Sequence, residues 1–98
     1  MQLEQIRIFC MVATYRSFSE AARRLYVSHS TTCRAVAALE AEFGVRLLER
    51  TRSSVALTPA GARLLEEGAQ LLAQAQALHA QMTALGSGEN LSEKEPQI

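Results

Sequence analysis

The sequence predicts a mainly α fold: three short helices, a small β-hairpin, and one long helix to finish. Three observations carry this. Apolar residues recur at helical spacing in three segments before Gly44, and serine caps open two of them. Two short apolar runs bracket a basic, polar stretch between Val45 and Thr58. Beyond Thr58-Pro59, leucines return every seven residues as far as Leu85.

The first helix spans Leu3 to Tyr15. Leu3, Ile6, Cys10 and Ala13 form one stripe, with Phe9 and Val12 beside it, and Arg16-Ser17 breaks the pattern. Ser17-Phe18-Ser19-Glu20 fits a capping box, serine as cap and glutamate three residues on. Phe18, Ala21, Ala22 and Leu25 then give a second amphipathic helix of about two turns, ending near Tyr26-Val27. Ser28 caps a third helix, which runs to Phe43 and stops at Gly44. Its apolar stripe is Thr32, Val36, Leu39 and Phe43. His29, Ser30, Cys33 and Arg34 lie opposite.

Two helices joined by a short turn, the second beginning with small polar groups, is the helix-turn-helix layout. The second helix of that motif must fit a major groove about 12 Å wide, so its leading end carries groups that reach base edges without blocking approach. Arg46 to Glu49 and Ser54 to Leu57 read as the strands of a hairpin, with Arg50-Thr51-Arg52-Ser53 as a basic tip. No Asn-Gly or Asp-Gly turn marks it. The whole reads as a winged helix-turn-helix over residues 1–58.

Thr58-Pro59 is a threonine cap with proline at the first helical position. The helix it starts is expected over 59–85, roughly 40 Å long at the usual rise. Leu64, Leu71, Leu78 and Leu85 form a heptad seam, with Gly68, Ala75 and Met82 four residues after the first three. Such a face needs the winged domain, a second copy, or both. Leu64, Leu71, Ala75, Leu78, Met82 and Leu85 are therefore the expected dimerisation residues. Gly86-Ser87-Gly88 ends the helix, and residues 86–98 are expected to be a disordered polar tail.

Net charge is zero over 98 residues, but it is unevenly spread. Residues 1–58 hold eight arginines against five glutamates, a balance of +3. Residues 59–98 hold Arg63 and Lys94 against five glutamates, a balance of −3. Basic charge confined to the first part fits a nucleic-acid surface. Nine of ten basic residues are arginine, which suits phosphate and guanine; a G·C-rich genome would give the same bias. Cys10 and Cys33 have no metal-like spacing and are too few for a disulfide framework. Signal peptide and membrane span are both missing from the pattern, so the expected compartment is the cytoplasm, at the nucleoid. No paired-carboxylate, Ser/His/Asp or phosphate-loop pattern points to an enzyme, and no metal or cofactor is expected.

The base-reading set is Ser28, His29, Ser30, Thr31, Cys33 and Arg34, with Thr32 assigned to the core. Arg50, Arg52 and Ser53 are the wing candidates for phosphate or minor-groove contact. Oxidation of Cys33 would block docking; a small residue tolerated near DNA is the simpler reading.

Residues 1 to about 85 resemble the N-terminal region of LysR-type transcriptional regulators. The resemblance rests on Ser17-Phe18-Ser19-Glu20-Ala21-Ala22-Arg23-Arg24-Leu25, Val27-Ser28, Ala38-Leu39-Glu40, Phe43-Gly44-Val45, Leu47-Leu48-Glu49-Arg50 and Leu57-Thr58-Pro59-Ala60-Gly61. Molybdate-responsive regulators carry a related domain, but the Ala-Ala-x-x-Leu and Leu-Thr-Pro-Ala-Gly segments fit the LysR type better. The family commonly has glutamine where this chain has His29 and serine where it has Cys33. The resemblance implies a bacterial homodimer on a pseudo-palindromic duplex DNA site. The family's effector-binding domain has no counterpart here, so no small-molecule effector is expected. The alternative is an interaction protein whose linker helix forms mixed dimers with full-length relatives.

Overall fold

A computed structural model describes residues 1–88; of the tail expected over 86–98, residues 89–98 lie outside the described residues. The elements are α1 (Leu3–Tyr15), α2 (Phe18–Leu25), α3 (His29–Phe43), β1 (Leu48–Arg50), β2 (Val55–Leu57) and α4 (Pro59–Ser87). β1 and β2 pair antiparallel, with Leu48 opposite Leu57 and Arg50 opposite Val55. No described helix is long and apolar enough to cross a membrane.

The caps act largely as the sequence suggests. Ser17, Ser28 and Thr58 each accept a hydrogen bond from the backbone N–H three residues on. The expected capping box at α2 closes on one side only. Ser17 Oγ accepts from Glu20 N at 2.9 Å, but the Glu20 carboxylate turns outward to Arg23 and Arg24. A charged acceptor gains more from two guanidinium donors than from one backbone N–H, so the arginines win. α1 and α2 end on Arg16 and Tyr26, both in the left-handed region.

The core is built where α1, α2 and α3 meet the base of the hairpin. Ile6, Phe9, Val12, Leu39 and Leu47 are sealed from solvent. Thr32 is equally buried, and its hydroxyl donates to the His29 carbonyl at 2.6 Å, which satisfies the polar group within the helix. Four details depart from the stripes read in sequence. Ile8 is buried although it lies off the predicted stripe, because α2 and α3 both pack on α1 and widen its covered face. Leu3, on that stripe, lies at the domain's end and is exposed. Cys10 is half-buried, and burial pushes its thiol pKa up. Phe43, in the last turn of α3, is 41% exposed because α3 runs past the core.

α4 begins tight against the hairpin. Thr58 Oγ1 donates to the Arg46 carbonyl at 2.6 Å, and Thr58 N donates to the Leu47 carbonyl at 3.1 Å. A Cβ on Gly61 would lie 2.0 Å from the Leu47 oxygen, so only glycine fits this approach. Gly68 likewise admits Ile6 and Cys10 of α1 to close contact. Gly68 and Leu64 of the predicted seam thus contact the chain's own domain. Leu64, with Leu65 and Leu72, packs against the domain core, because the first half of α4 lies across α1. Farther on, Leu71, Leu78, Met82 and Leu85 are exposed and Ala75 is half-buried. α4 also continues to Ser87, two residues beyond the expected end; Gly86 stays helical and Gly88 makes the left-handed cap.

Candidate nucleic-acid interface

The leading turn of α3 presents a linked set of polar side chains. Ser28 Oγ accepts from Thr31 N at 3.1 Å, and lies 2.8 Å from Thr31 Oγ1 and 3.1 Å from Ser30 Oγ. Arg34 Nη2 reaches Thr31 Oγ1 at 3.5 Å. His29 Nδ1 and Cys33 Sγ are 3.7 Å apart, one turn along the helix. Thr32, Ala35, Val36 and Leu39 face the core, which turns His29, Ser30, Cys33 and Arg34 the other way. The structure thus gathers the whole predicted base-reading set at one helix end. Within it, Ser28 is committed to capping, so its contribution is to orient the helix start.

The hairpin is held to α3 by Glu40. Its carboxylate accepts from Leu47 N at 2.8 Å and from Leu48 N at 3.3 Å, with Arg46 Nε 3.6 Å away. Those two N–H groups stand where the chain leaves α3 for β1, and a charged acceptor fixes that geometry more firmly than a neutral one. The turn itself explains why no Asn-Gly signal was needed. Thr51 N donates to the Ser54 carbonyl at 2.8 Å, and Ser54 N donates to Thr51 Oγ1 at 3.0 Å. Neither Arg52 nor Ser53 takes a positive φ, so side-chain hydrogen bonding from Thr51 replaces the glycine conformation.

Arg52 and Ser53 stand exposed at this tip, as expected. Arg50 does not. It ends β1, and its guanidinium lies 4.2 Å from the centroid of the Phe18 ring. Strand pairing with Val55 sets the side of the hairpin from which Arg50 projects, and that side faces α2. The Phe18 ring in turn lies 6.2 Å from the His29 ring. The hairpin, α2 and α3 therefore meet through Arg50, Phe18 and His29.

Ion pairing sorts the arginines. Arg7 pairs with Glu4, Arg23 and Arg24 with Glu20, Arg46 with Glu40, and Arg63 with Glu67. Hydrogen bonding from Arg23, and then from Arg24, holds the Glu20 carboxyl below its usual value and raises Arg23. Among the described residues Arg16, Arg34, Arg50 and Arg52 have no carboxylate partner. Three of these are the arginines singled out in sequence. Arg16, in the turn before α2, was not; its place beside the Ser17 cap was the available signal.

Comparison with known proteins follows the same outline. Residues 3–62 match the family described as bacterial regulatory helix-turn-helix protein, lysR family. The HTH-type transcriptional regulator TfdS of Cupriavidus pinatubonensis is 43% identical over 67 residues, 68% of this chain and 23% of that protein. A probable hydrogen peroxide-inducible genes activator of Mycobacterium avium is 52% identical over 60 residues, 61% of this chain and 19% of that protein. The chain thus spans about a fifth of the length of these relatives. Among solved structures, the CbnR DBD–DNA complex is similar at TM-score 0.81 and 36% identity, covering 88% of this chain and 99% of that one. The complex of BenM DBD with catB site 1 DNA is similar at TM-score 0.84 and 31% identity, covering 90% and 98%. Motif order, fold and relatives agree: the chain belongs to the lysR family of bacterial regulatory helix-turn-helix proteins, and its first 62 residues hold that family's DNA-binding helix-turn-helix domain.

Proposed function

We propose that this chain regulates transcription as a homodimer, binding a pseudo-palindromic duplex site at the nucleoid. α3 of each copy enters a major groove, with His29, Ser30, Thr31, Cys33 and Arg34 at base edges and adjacent phosphates. The hairpin tip, through Arg52 and Ser53, lies along the flanking backbone or minor groove. The observation that carries this reading is the placement of the arginines without carboxylate partners: Arg34 on α3 and Arg50 and Arg52 on the wing are left to neutralise an external anion. Two of the similar structures are complexes with DNA, which supports the same partner.

The dimer is assigned to the far half of α4. Leu71, Leu78, Met82 and Leu85 are exposed, and Leu3, Leu71, Ala75 and Leu78 border a shallow apolar groove there. A second α4 packed antiparallel covers this surface and sets the spacing of the two α3 helices. A longer relative offering an equivalent helix fits the same face, which is the mixed-dimer alternative.

Selection of duplexes from a random pool by the purified protein, beside Arg34→Ala, tests the proposal. Enrichment of an inverted repeat that Arg34→Ala does not enrich is the expected result, with retention falling steeply as salt rises. No enrichment and no salt-sensitive retention by the wild type would overturn it.

A further inference from the structure

Tyr26 closes α2 with φ at 59°, its N–H reaching the Ala22 and Arg23 carbonyls. Val27 N then donates to the Ala22 carbonyl at 3.0 Å, so the backbone is held on both sides of the residue. The left-handed region costs any side chain free energy that glycine does not lose. Packing within the fold does not offset that cost, because Tyr26 is 95% exposed, more than any other large hydrophobic residue described. The other left-handed non-glycine cap, Arg16, puts a cation into water, which suits it; Tyr26 puts an aromatic ring there. An outlier of this kind, in a fixed backbone two residues before the Ser28 cap of α3, calls for a ligand outside the fold.

We infer that Tyr26 is a DNA-backbone contact: its phenol O–H donates to a phosphate oxygen at the edge of the groove that α3 enters. This rests on the DNA-binding reading above. Three features favour a phosphate. Tyr26 precedes α3 rather than lying on its groove-facing side, so it meets the rim of the groove before the base edges. Its neighbours in sequence beyond Val27 are Ser28, His29 and Ser30, all exposed and polar, so no apolar patch surrounds the ring as protein docking would need. A phenol is a neutral donor, the type that fixes register on the backbone without adding charge.

Affinity of the full chain for its selected duplex and for a scrambled duplex, measured across salt concentrations for wild type, Tyr26→Phe and Tyr26→Gly, tests the inference. Tyr26→Phe, which removes only the hydroxyl, is expected to weaken both duplexes by about fivefold and leave the salt slope unchanged. Tyr26→Gly is expected to weaken binding at least as much while its melting temperature stays level or rises, since glycine relieves the left-handed strain. Wild-type affinity of Tyr26→Phe for both duplexes would overturn the inference. So would a loss confined to the selected sequence, or a loss seen only in a variant whose melting temperature also falls. Wild-type protein that binds neither duplex at low salt defeats the DNA-binding reading itself, an outcome distinct from all of these.

Discussion

Arg50 lays its guanidinium 4.2 Å from the centre of the Phe18 ring, joining the last residue of β1 to the first of α2. The same ring stands 6.2 Å from His29, at the start of α3. A cation that the sequence places at a free hairpin tip is instead seated on the helix-turn-helix. From that seat it can hold the wing in register and still present N–H groups to a phosphate.

Arg50→Ala is accordingly expected to act twice. Loss of the ring contact costs about 0.5–1 kcal/mol of stability, and loss of one phosphate partner per domain lowers the salt slope of DNA binding. Phe18→Leu removes the seat and keeps the charge, so it should weaken binding with an unchanged slope. Denaturant melts and salt titrations of the two variants check this. Equal slopes for wild type and Arg50→Ala would show that Arg50 is purely structural.

Glu40 is expected to matter for stability more than its partly exposed carboxylate suggests. Glu40→Ala leaves the N–H groups of Leu47 and Leu48 without their acceptor, at a cost of about 2–3 kcal/mol. Glu40→Gln keeps an acceptor oxygen and should lose roughly half as much. The test is urea unfolding at a constant m-value; a difference between the variants below about 0.5 kcal/mol would assign the effect to helix propensity instead.

The far half of α4 should control assembly without controlling the fold. Leu78 and Leu85 are 57% and 59% exposed in the single chain, so Leu78→Glu and Leu85→Glu should leave helix content unchanged. Each substitution counts twice across a two-fold interface, so dimer dissociation should become at least ~100-fold easier. Sedimentation across a concentration series reads this out. An unchanged dimer in both variants would place the interface elsewhere. Leu64→Glu should behave differently, lowering the melting temperature, because Leu64 is partly buried against the core of its own domain.

The Glu20 cluster predicts a small acid dependence. Arg23 and Arg24 lower the Glu20 carboxyl from its ordinary value of 4.5, so the stabilisation is complete above that value and is lost as pH falls through the lower, folded value. Glu20→Gln should therefore melt below wild type at neutral pH, and the gap should close in acid and shrink in high salt, since the pair is solvent-exposed. A gap that is constant across pH would mean that charge at the α2 start has no part in it.

Much of this protein is determined by sequence alone. α1 runs from Leu3 to Tyr15 and α3 ends before Gly44, as the periodic stripes and breaker residues indicate. Ser17, Ser28 and Thr58 cap their helices because capping is a contact within four residues. The polar leading face of α3 was legible for the same reason: positions 29, 30, 33 and 34 share a side of any helix.

Tertiary structure decided what depends on partners distant in sequence. The division of α4 into a half that docks on α1 and a half that stays exposed follows from where the helix starts, and the contact of Gly61 with the Leu47 carbonyl sets that start. A heptad repeat runs through both halves and cannot distinguish them. Glu40 looks like any helix-surface glutamate until the hairpin folds back and brings two N–H groups to it. Arg50 and Arg52 are two residues apart, close enough for sequence to treat them as one basic tip. Strand register sends one to Phe18 and leaves the other at the turn, because pairing fixes the direction of each side chain and composition does not.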